Sequence, residues 1–92
     1  MLVNLKQKKD LIKVFLSIKQ ERLMDKFLED LLTPAELEEI IQRWQVVKML
    51  HKGVPQRQIA KELGVSISTV TRGSRELRDK NGGFRKILDK YL

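Results

Sequence analysis

Residues 54–74, VPQRQIAKELGVSISTVTRGS, constrain the fold of this 92-residue chain more than any other segment. Apolar residues recur at helical spacing on both sides of Gly64, and a glycine suits a left-handed turn between two helices. Ala60 lies four residues before that glycine, where two crossing helices leave room for only a small side chain. The spacing predicts a helix-turn-helix, with a first helix from Pro55 to Gly64 and a second, capped by Ser66, to about residue 80.

The side chains of this motif divide into an apolar and a polar set. Apolar contacts are expected to fix the helix crossing through Ile59, Leu63, Val65, Ile67 and Val70. The positions between them are expected to be exposed and to reach phosphates or base edges: Arg57, Lys61, Ser66, Ser68, Thr69, Thr71 and Arg72. Hydroxyls and free N–H groups at a helix N-terminus suit a phosphate, and an arginine can reach guanine. The motif therefore predicts binding to double-stranded DNA; a helical hairpin with a polar face is the alternative.

The charge of the chain is concentrated near the same motif. The net charge is +7, and residues 53–92 carry nine Lys or Arg against four Asp or Glu. Clustered cations favour a polyanionic partner, such as nucleic acid or an anionic membrane surface. A surface that only keeps the protein in solution is the alternative.

The remaining segments also have helical periodicity, and none alternates like a strand. Two apolar stripes predict the first two helices: Leu11, Ile12, Phe15 and Ile18, then Leu23, Met24, Phe27, Leu28 and Leu31. A third helix has Thr33 as N-cap, Pro34 at its first position and Glu36 closing a capping box, and Gly53 ends it. After a break at residues 81–83, a last helix is expected over residues 84–92.

The chain is therefore predicted to be all-α, a single domain of six helices. Residues 1–53 would supply dimerisation helices, residues 54–80 the helix-turn-helix, and residues 84–92 a C-terminal dimerisation helix. The apolar stripes exceed what six short helices enclose, so burial against a second copy is expected; a small monomeric bundle is the alternative.

Several other classes of function are disfavoured. The chain has no cysteine and one histidine, His51, which argues against a metal site. It has no catalytic Cys–His or Ser–His arrangement, so an enzyme is not expected. No apolar run approaches the roughly 18 residues of a membrane span, and the N-terminus lacks a secretory pattern, so a cytoplasmic protein without membrane contact is expected.

The segments LLTPAELEEIIQRW and QRQIAKELGVSISTVTRGS, with the spacing between them, resemble the Trp repressor family over about residues 20–92. The family includes TrpR-like relatives of the YerC/YecD type. The resemblance implies an intertwined six-helix homodimer, a repressor of transcription that binds a palindromic operator with L-tryptophan as amino-acid corepressor. It also implies that the DNA-facing positions are Gln56, Arg57, Ile67, Ser68, Thr69 and Thr71.

The same resemblance implies a ligand site. Arg43 matches the arginine that stacks on the indole, Arg72 matches the one that holds the carboxylate, and Gly73 matches the glycine beside the ring. Two guanidinium planes around an aromatic ring would give cation–π contact, which agrees with these roles.

The ammonium group would be held by Thr33 together with the backbone carbonyls of Asp30 and Leu32 from the partner subunit. The chain departs from the family at Glu76, which lies near the expected ligand, and in a link at residues 51–57 that is one residue shorter. Glu76 would either pair with the ammonium group or fill the site and pair with Arg72 or Arg43. Ligand-independent DNA binding, DNA binding with little sequence preference, and a protein-interaction module without DNA are the other hypotheses.

Overall fold

The computed structural model describes residues 4–91, which form six helices and no strand, as expected for an all-α protein. The helices are α1 Leu5–Ser17, α2 Glu21–Leu31, α3 Pro34–His51, α4 Gln56–Leu63, α5 Ile67–Arg78 and α6 Gly83–Tyr91. Leu92, expected in the last helix, lies outside the described residues. The chain divides into two units, one within residues 4–37 and the other within residues 38–91.

Local capping contacts define the helix starts in the N-terminal unit. The side chain of Asn4 accepts hydrogen bonds from the backbone N–H groups of Lys6 and Gln7, which begins α1. At the start of α3, the N–H of Glu36 donates to Thr33 Oγ1 at 3.2 Å and the N–H of Thr33 donates to Glu36 Oε1 at 2.9 Å. This reciprocal pair is the expected capping box. The hydrogen bonds from the backbone and side chain of Thr33 lower the pKa of Glu36, because they favour its charged form.

Helices α1 and α2 contain no buried residue. The rings of Phe15 and Phe27 meet edge to face, with centroids 5.3 Å apart. Beyond this contact large apolar side chains stay exposed, among them Leu5 at 71% and Leu16 at 76%. The apolar stripes of this unit are therefore incompletely covered within one chain.

Two neighbouring valines of α3 hold the C-terminal unit together. Val46 is 1% exposed and packs with Ile59 of α4 and Val70 of α5, so this cluster binds the helix-turn-helix to α3. Partly buried residues complete it: Met49, Leu50, Val54, Ala60, Leu63 and Val65. Ala60 thus lies at the contact between helices where the spacing predicted a small side chain.

Val47 belongs to a second cluster, with Leu77 of α5 and Leu88 of α6. Trp44, Leu50 and Phe84 pack against it, and Trp44 is half-buried there. Because adjacent residues of one helix point to different neighbours, α3 contacts both the helix-turn-helix and α6. Helix α5 is therefore held by contacts with α3, α4 and α6.

The turns follow the glycines. Gly53 and Gly64 have φ values of 85° and 65°, a region that favours glycine, and they follow the ends of α3 and α4. The N–H of Val65 then donates to the carbonyl of Ala60 at 3.1 Å. Such a bond satisfies a carbonyl that the end of the helix would otherwise leave unpaired.

Three expectations about this region need correction. Ile67 does not fix the helix crossing, because it is 49% exposed and lies outside the cluster around Val70. Helix α5 ends at Arg78, two residues before the expected end, where the N–H of Asp79 donates to the carbonyl of Glu76. Helix α6 begins at residue 83, one residue earlier than expected.

Candidate nucleic-acid interface and ligand cleft

The polar surface of α4 and α5 brings together the residues that the sequence assigned to DNA. Six of the nine are exposed: Arg57, Lys61, Ser66, Ile67, Ser68 and Arg72. Gln56, Thr69 and Thr71 are half-buried, so the two threonines are less exposed than expected. Helix contacts, which the periodicity of α5 alone does not reveal, account for this difference.

A group of hydroxyls surrounds the N-terminus of α5. Ser66 Oγ accepts a hydrogen bond from the N–H of Thr69 at 3.2 Å, which is the expected cap. The same oxygen lies 2.9 Å from Ser68 Oγ and 2.9 Å from Thr69 Oγ1. The cap therefore orders three hydroxyls beside the positive end of the helix dipole.

Thr71 connects the two helices of the motif. Its hydroxyl lies 2.9 Å from the carbonyl oxygen of Ile67 and 3.2 Å from Gln56 Oε1, and it donates to these acceptors. The contact engages the amide oxygen of Gln56 and leaves the amide nitrogen as the group able to donate to another partner. Thr71 therefore orients Gln56, which lies at the start of α4.

A cleft of about 160 Å³ lies beside α5, within the C-terminal unit. From α3 it is lined by Glu39, Gln42, Arg43, Val46 and Val47. From α5 and α6 it is lined by Thr69, Arg72, Gly73, Glu76 and Phe84. All four residues of this unit that the sequence assigned to a ligand, Arg43, Arg72, Gly73 and Glu76, therefore line one cleft.

Gly73 permits the close approach of α5 to α3 at this cleft. A Cβ atom at this position would lie 2.8 Å from Val46 Cγ1, with Leu50 and Val47 also in contact. Because Val46 is buried and β-branched, its side chain has little freedom to move aside. Because Gly73 has no side chain, α5 can pack closely against α3 at the wall of the cleft.

The charged groups of the cleft remain unpaired with one another. Within residues 4–91, no carboxylate lies at ion-pair distance from the guanidinium of Arg43 or Arg72. Glu76 is exposed and lines the cleft, and within residues 4–91 it forms no ion pair with Arg43 or Arg72.

The three remaining ligand positions, Asp30, Leu32 and Thr33, belong to the N-terminal unit. Asp30 and Thr33 are exposed, and Leu32 is half-buried. The hydroxyl of Thr33 accepts the N–H of Glu36 in the capping box, so its position is fixed by the start of α3.

Sequence reasoning missed several residues around the cleft. Glu39 and Gln42 lie four and one residues before Arg43 on α3, so helical periodicity could have placed Glu39 on the face of that arginine. Nothing local signals Phe84, which reaches the cleft from α6. His51 Nε2 lies 3.2 Å from Asp89 Oδ1 and joins the end of α3 to α6, a contact between residues 38 positions apart that no local pattern signals.

Among residues 4–91, no group of three or more His, Cys, Asp or Glu residues could hold a metal ion. None of the helices in the same range is long and apolar enough to cross a membrane.

Comparison with known proteins identifies similar chains. The family described as Trp repressor protein matches residues 6–92. A "Trp operon repressor homolog" of Vibrio vulnificus strain YJ016 is 42% identical over 84 residues, which cover 90% of this chain and 79% of the relative. A protein of the same description from Chlamydia trachomatis serovar L2 is 34% identical over 83 residues, which cover 85% of this chain and 88% of that relative. No solved structure gives a significant match.

Proposed function

Because the chain belongs to the Trp repressor protein family, we propose that it regulates transcription by binding operator DNA as a homodimer, with L-tryptophan as corepressor. In this proposal residues 1–53 and 84–92 supply dimer contacts and residues 54–80 contact DNA. The two recognition helices of a dimer would enter successive major grooves of a palindromic site.

The observation that carries the proposal is the cleft beside α5. Its volume of about 160 Å³ is close to the ~150 Å³ cavity that accommodates benzene in another protein, so it offers room for an aromatic ring. Arg43 and Arg72 line it from two helices, and a guanidinium group can both stack on an aromatic ring and pair with a carboxylate. L-tryptophan combines these two groups.

The position of the cleft also supports a link between ligand and DNA. Arg72 and Gly73 line the cleft, whereas Ser66 and Ser68 cap and begin the same α5 on its exposed side. A ligand that contacts α5 can stabilise the orientation in which this helix binds DNA relative to other orientations. An allosteric effect requires such a difference in ligand contacts between two conformations of the protein.

The DNA-binding part of the proposal rests on charge and side-chain type. Residues 53–92 have a surplus of five positive charges, and Arg57, Lys61 and Ser68 are exposed on the helix-turn-helix. Phosphate contacts release counterions, so the affinity should fall steeply as salt rises. An arginine that also reads a base edge adds about 1–3 kcal/mol of discrimination.

The test is a selection of binding sites from a randomised duplex library, with and without L-tryptophan, followed by fluorescence anisotropy on the enriched site. We expect a palindromic site whose affinity rises when L-tryptophan is added. The Arg72→Ala variant should lose that rise, because it lacks the carboxylate partner. Arg78→Ala is the matched control: it removes an exposed arginine of α5 outside the cleft, and the rise should persist.

The other outcomes correspond to the competing hypotheses. A palindromic site bound equally with and without L-tryptophan would indicate a ligand-independent regulator. Equal affinity for enriched and scrambled duplexes would indicate a binder without sequence preference. No binding to any duplex at low salt would indicate a protein-interaction module and would overturn the proposal.

A further inference from the structure

The turn between α5 and α6 contains an asparagine followed by a glycine, Asn81 and Gly82. In such a pair the backbone nitrogen of the glycine can attack the side-chain amide carbon of the asparagine, because the glycine has no side chain to hinder the approach. The attacking nitrogen loses its proton, the new C–N bond closes a succinimide ring, and the amide nitrogen leaves as ammonia. Water then opens the ring at either carbonyl, which gives aspartate or isoaspartate.

The local structure leaves the side chain of Asn81 available for this reaction. The residue is exposed, and its backbone N–H donates to Asp79 Oδ1 at 3.0 Å. Among the residues that the structure describes, its side-chain amide forms no hydrogen bond with another group. Residues 79–82 lie outside α5 and α6. The pair therefore escapes the helical geometry, in which a side chain points back along the chain, away from the nitrogen of the next residue.

One contact restrains the attacking group. The N–H of Gly82 donates to the carbonyl of Asp79 at 3.0 Å, and this hydrogen bond must open before the nitrogen can lose its proton. Asp79 and Asn81 are both exposed, and exposed turns open locally at a much smaller free-energy cost than unfolding of the whole chain. The turn therefore slows the reaction relative to an unfolded chain but does not prevent it.

Asn4, the other asparagine of the chain, provides a contrast within the same molecule. Its Oδ1 accepts hydrogen bonds from the backbone N–H groups of Lys6 and Gln7 at 3.0 and 3.1 Å, so its side chain is held at the start of α1. The next residue is Leu5, whose side chain hinders attack by its backbone nitrogen. Both features disfavour ring closure at Asn4.

The products at Asn81 differ in their effect on α6, which begins at residue 83. Aspartate keeps the normal backbone and places a negative charge just before the N-terminus of α6, where the helix dipole favours it. Isoaspartate carries the main chain through its side-chain carbon and so lengthens the turn. Phe84 and Leu88 of α6 pack in the cluster around Val47, and a longer turn displaces them from that cluster.

We propose that Asn81 is a site of spontaneous deamidation, and that isoaspartate formed there weakens the packing of α6 against its unit. The site is separate from the proposed DNA and ligand contacts, so this inference goes beyond the proposed function and does not depend on it.

The first test is incubation of the full-length protein in mildly alkaline buffer, followed by digestion, chromatography and mass spectrometry. Deamidated peptides gain the mass difference between an amide and an acid, and the aspartate and isoaspartate forms separate on the column. We expect conversion at Asn81 to be faster than at Asn4 by about tenfold or more, a difference of about 1.4 kcal/mol in activation free energy. Asn81→Gln is the control, since its longer side chain closes a ring less readily, and this variant should stay unmodified.

The second test compares the isoaspartate form, isolated by chromatography, with the Asn81→Asp variant, which has the same charge on a normal backbone. The isoaspartate form should melt at a temperature lower by about 4 °C or more. An Asn81 that stays intact in the folded protein while the urea-unfolded chain converts would overturn the site. Equal rates at Asn4 and Asn81 would overturn the role of local structure. Equal melting temperatures of the two forms would overturn the effect on α6.

Discussion

At the scale of single residues, Gly73 shows how a helix interior can require glycine without any turn. Alanine usually stabilises a helix relative to glycine by about 1 kcal/mol. Here an added Cβ would lie 2.8 Å from Cγ1 of Val46, a valine that is 1% exposed. Overpacking of this kind typically costs about 1–3 kcal/mol. The steric cost should therefore exceed the gain in helix propensity.

We predict that Gly73→Ala lowers the free energy of unfolding by about 1 kcal/mol, since the overpacking cost outweighs the helical gain. The measurement is the urea concentration at the midpoint of unfolding, with the dependence of the unfolding free energy on urea concentration unchanged. Gly83→Ala is the matched control in α6, where an added Cβ meets nothing within 4 Å; it should leave stability unchanged or raise it by up to about 1 kcal/mol. Stabilisation by Gly73→Ala would contradict the close approach of α5 to α3.

At the scale of helices, what could be predicted from sequence was local. The capping box of Thr33 and Glu36, the cap at Ser66 and the turn at Gly64 depend on residues within four positions of one another, and all three are observed. The predicted packing of Ile67 at the helix crossing was wrong, because that contact depends on how α5 packs against the rest of its unit.

The cleft illustrates the same limit. The family resemblance predicted that Arg43 and Arg72 belong to the ligand site. The presence of Phe84 in the cleft could not be predicted, because this residue belongs to α6, which follows a turn whose geometry the sequence does not determine. The hydroxyl of Thr71 likewise bonds to a side chain 15 positions away, Gln56. Contacts between helices, more than helix formation itself, account for what the sequence left undetermined.

The contact between α4 and α5 leads to a second prediction. Thr71→Val keeps the shape of the side chain but removes the hydroxyl that holds Gln56, so the amide of Gln56 loses its fixed orientation. We expect affinity for the selected DNA site to fall about threefold to tenfold, as for a lost hydrogen bond of ~0.5–1.5 kcal/mol. Affinity for random duplex should stay the same.

Thr71→Ser separates positioning from packing, because it keeps the hydroxyl and loses the methyl group. Anisotropy titrations of the serine variant should give near-native preference for the selected site. Equal losses in the valine and serine variants would mean that the methyl group, and not the bond to Gln56, supports DNA binding.

At the scale of the whole molecule, the balance of buried and exposed apolar surface is unusual for a chain of 92 residues. Six hydrophobic residues of the described chain are buried, and all of them belong to the C-terminal unit. On α1, Leu5, Ile12 and Leu16 share one face and are 71%, 45% and 76% exposed. Apolar faces of this extent are typical of surfaces that a partner covers. A second copy of the chain is the partner that the proposed function requires.

We therefore predict that the protein sediments as a dimer and that its melting temperature rises with concentration, because dimerisation stabilises the folded state. Burying one leucine contributes about 1.5–3 kcal/mol, and a twofold dimer contains each contact residue twice. Leu16→Glu should accordingly raise the dimer dissociation constant about 100-fold or more in sedimentation equilibrium. Gln7→Glu, which makes the same charge change at an exposed polar position of α1, should leave it nearly unchanged. A monomer whose melting temperature does not depend on concentration would exclude the homodimer, and with it paired binding to a palindromic site.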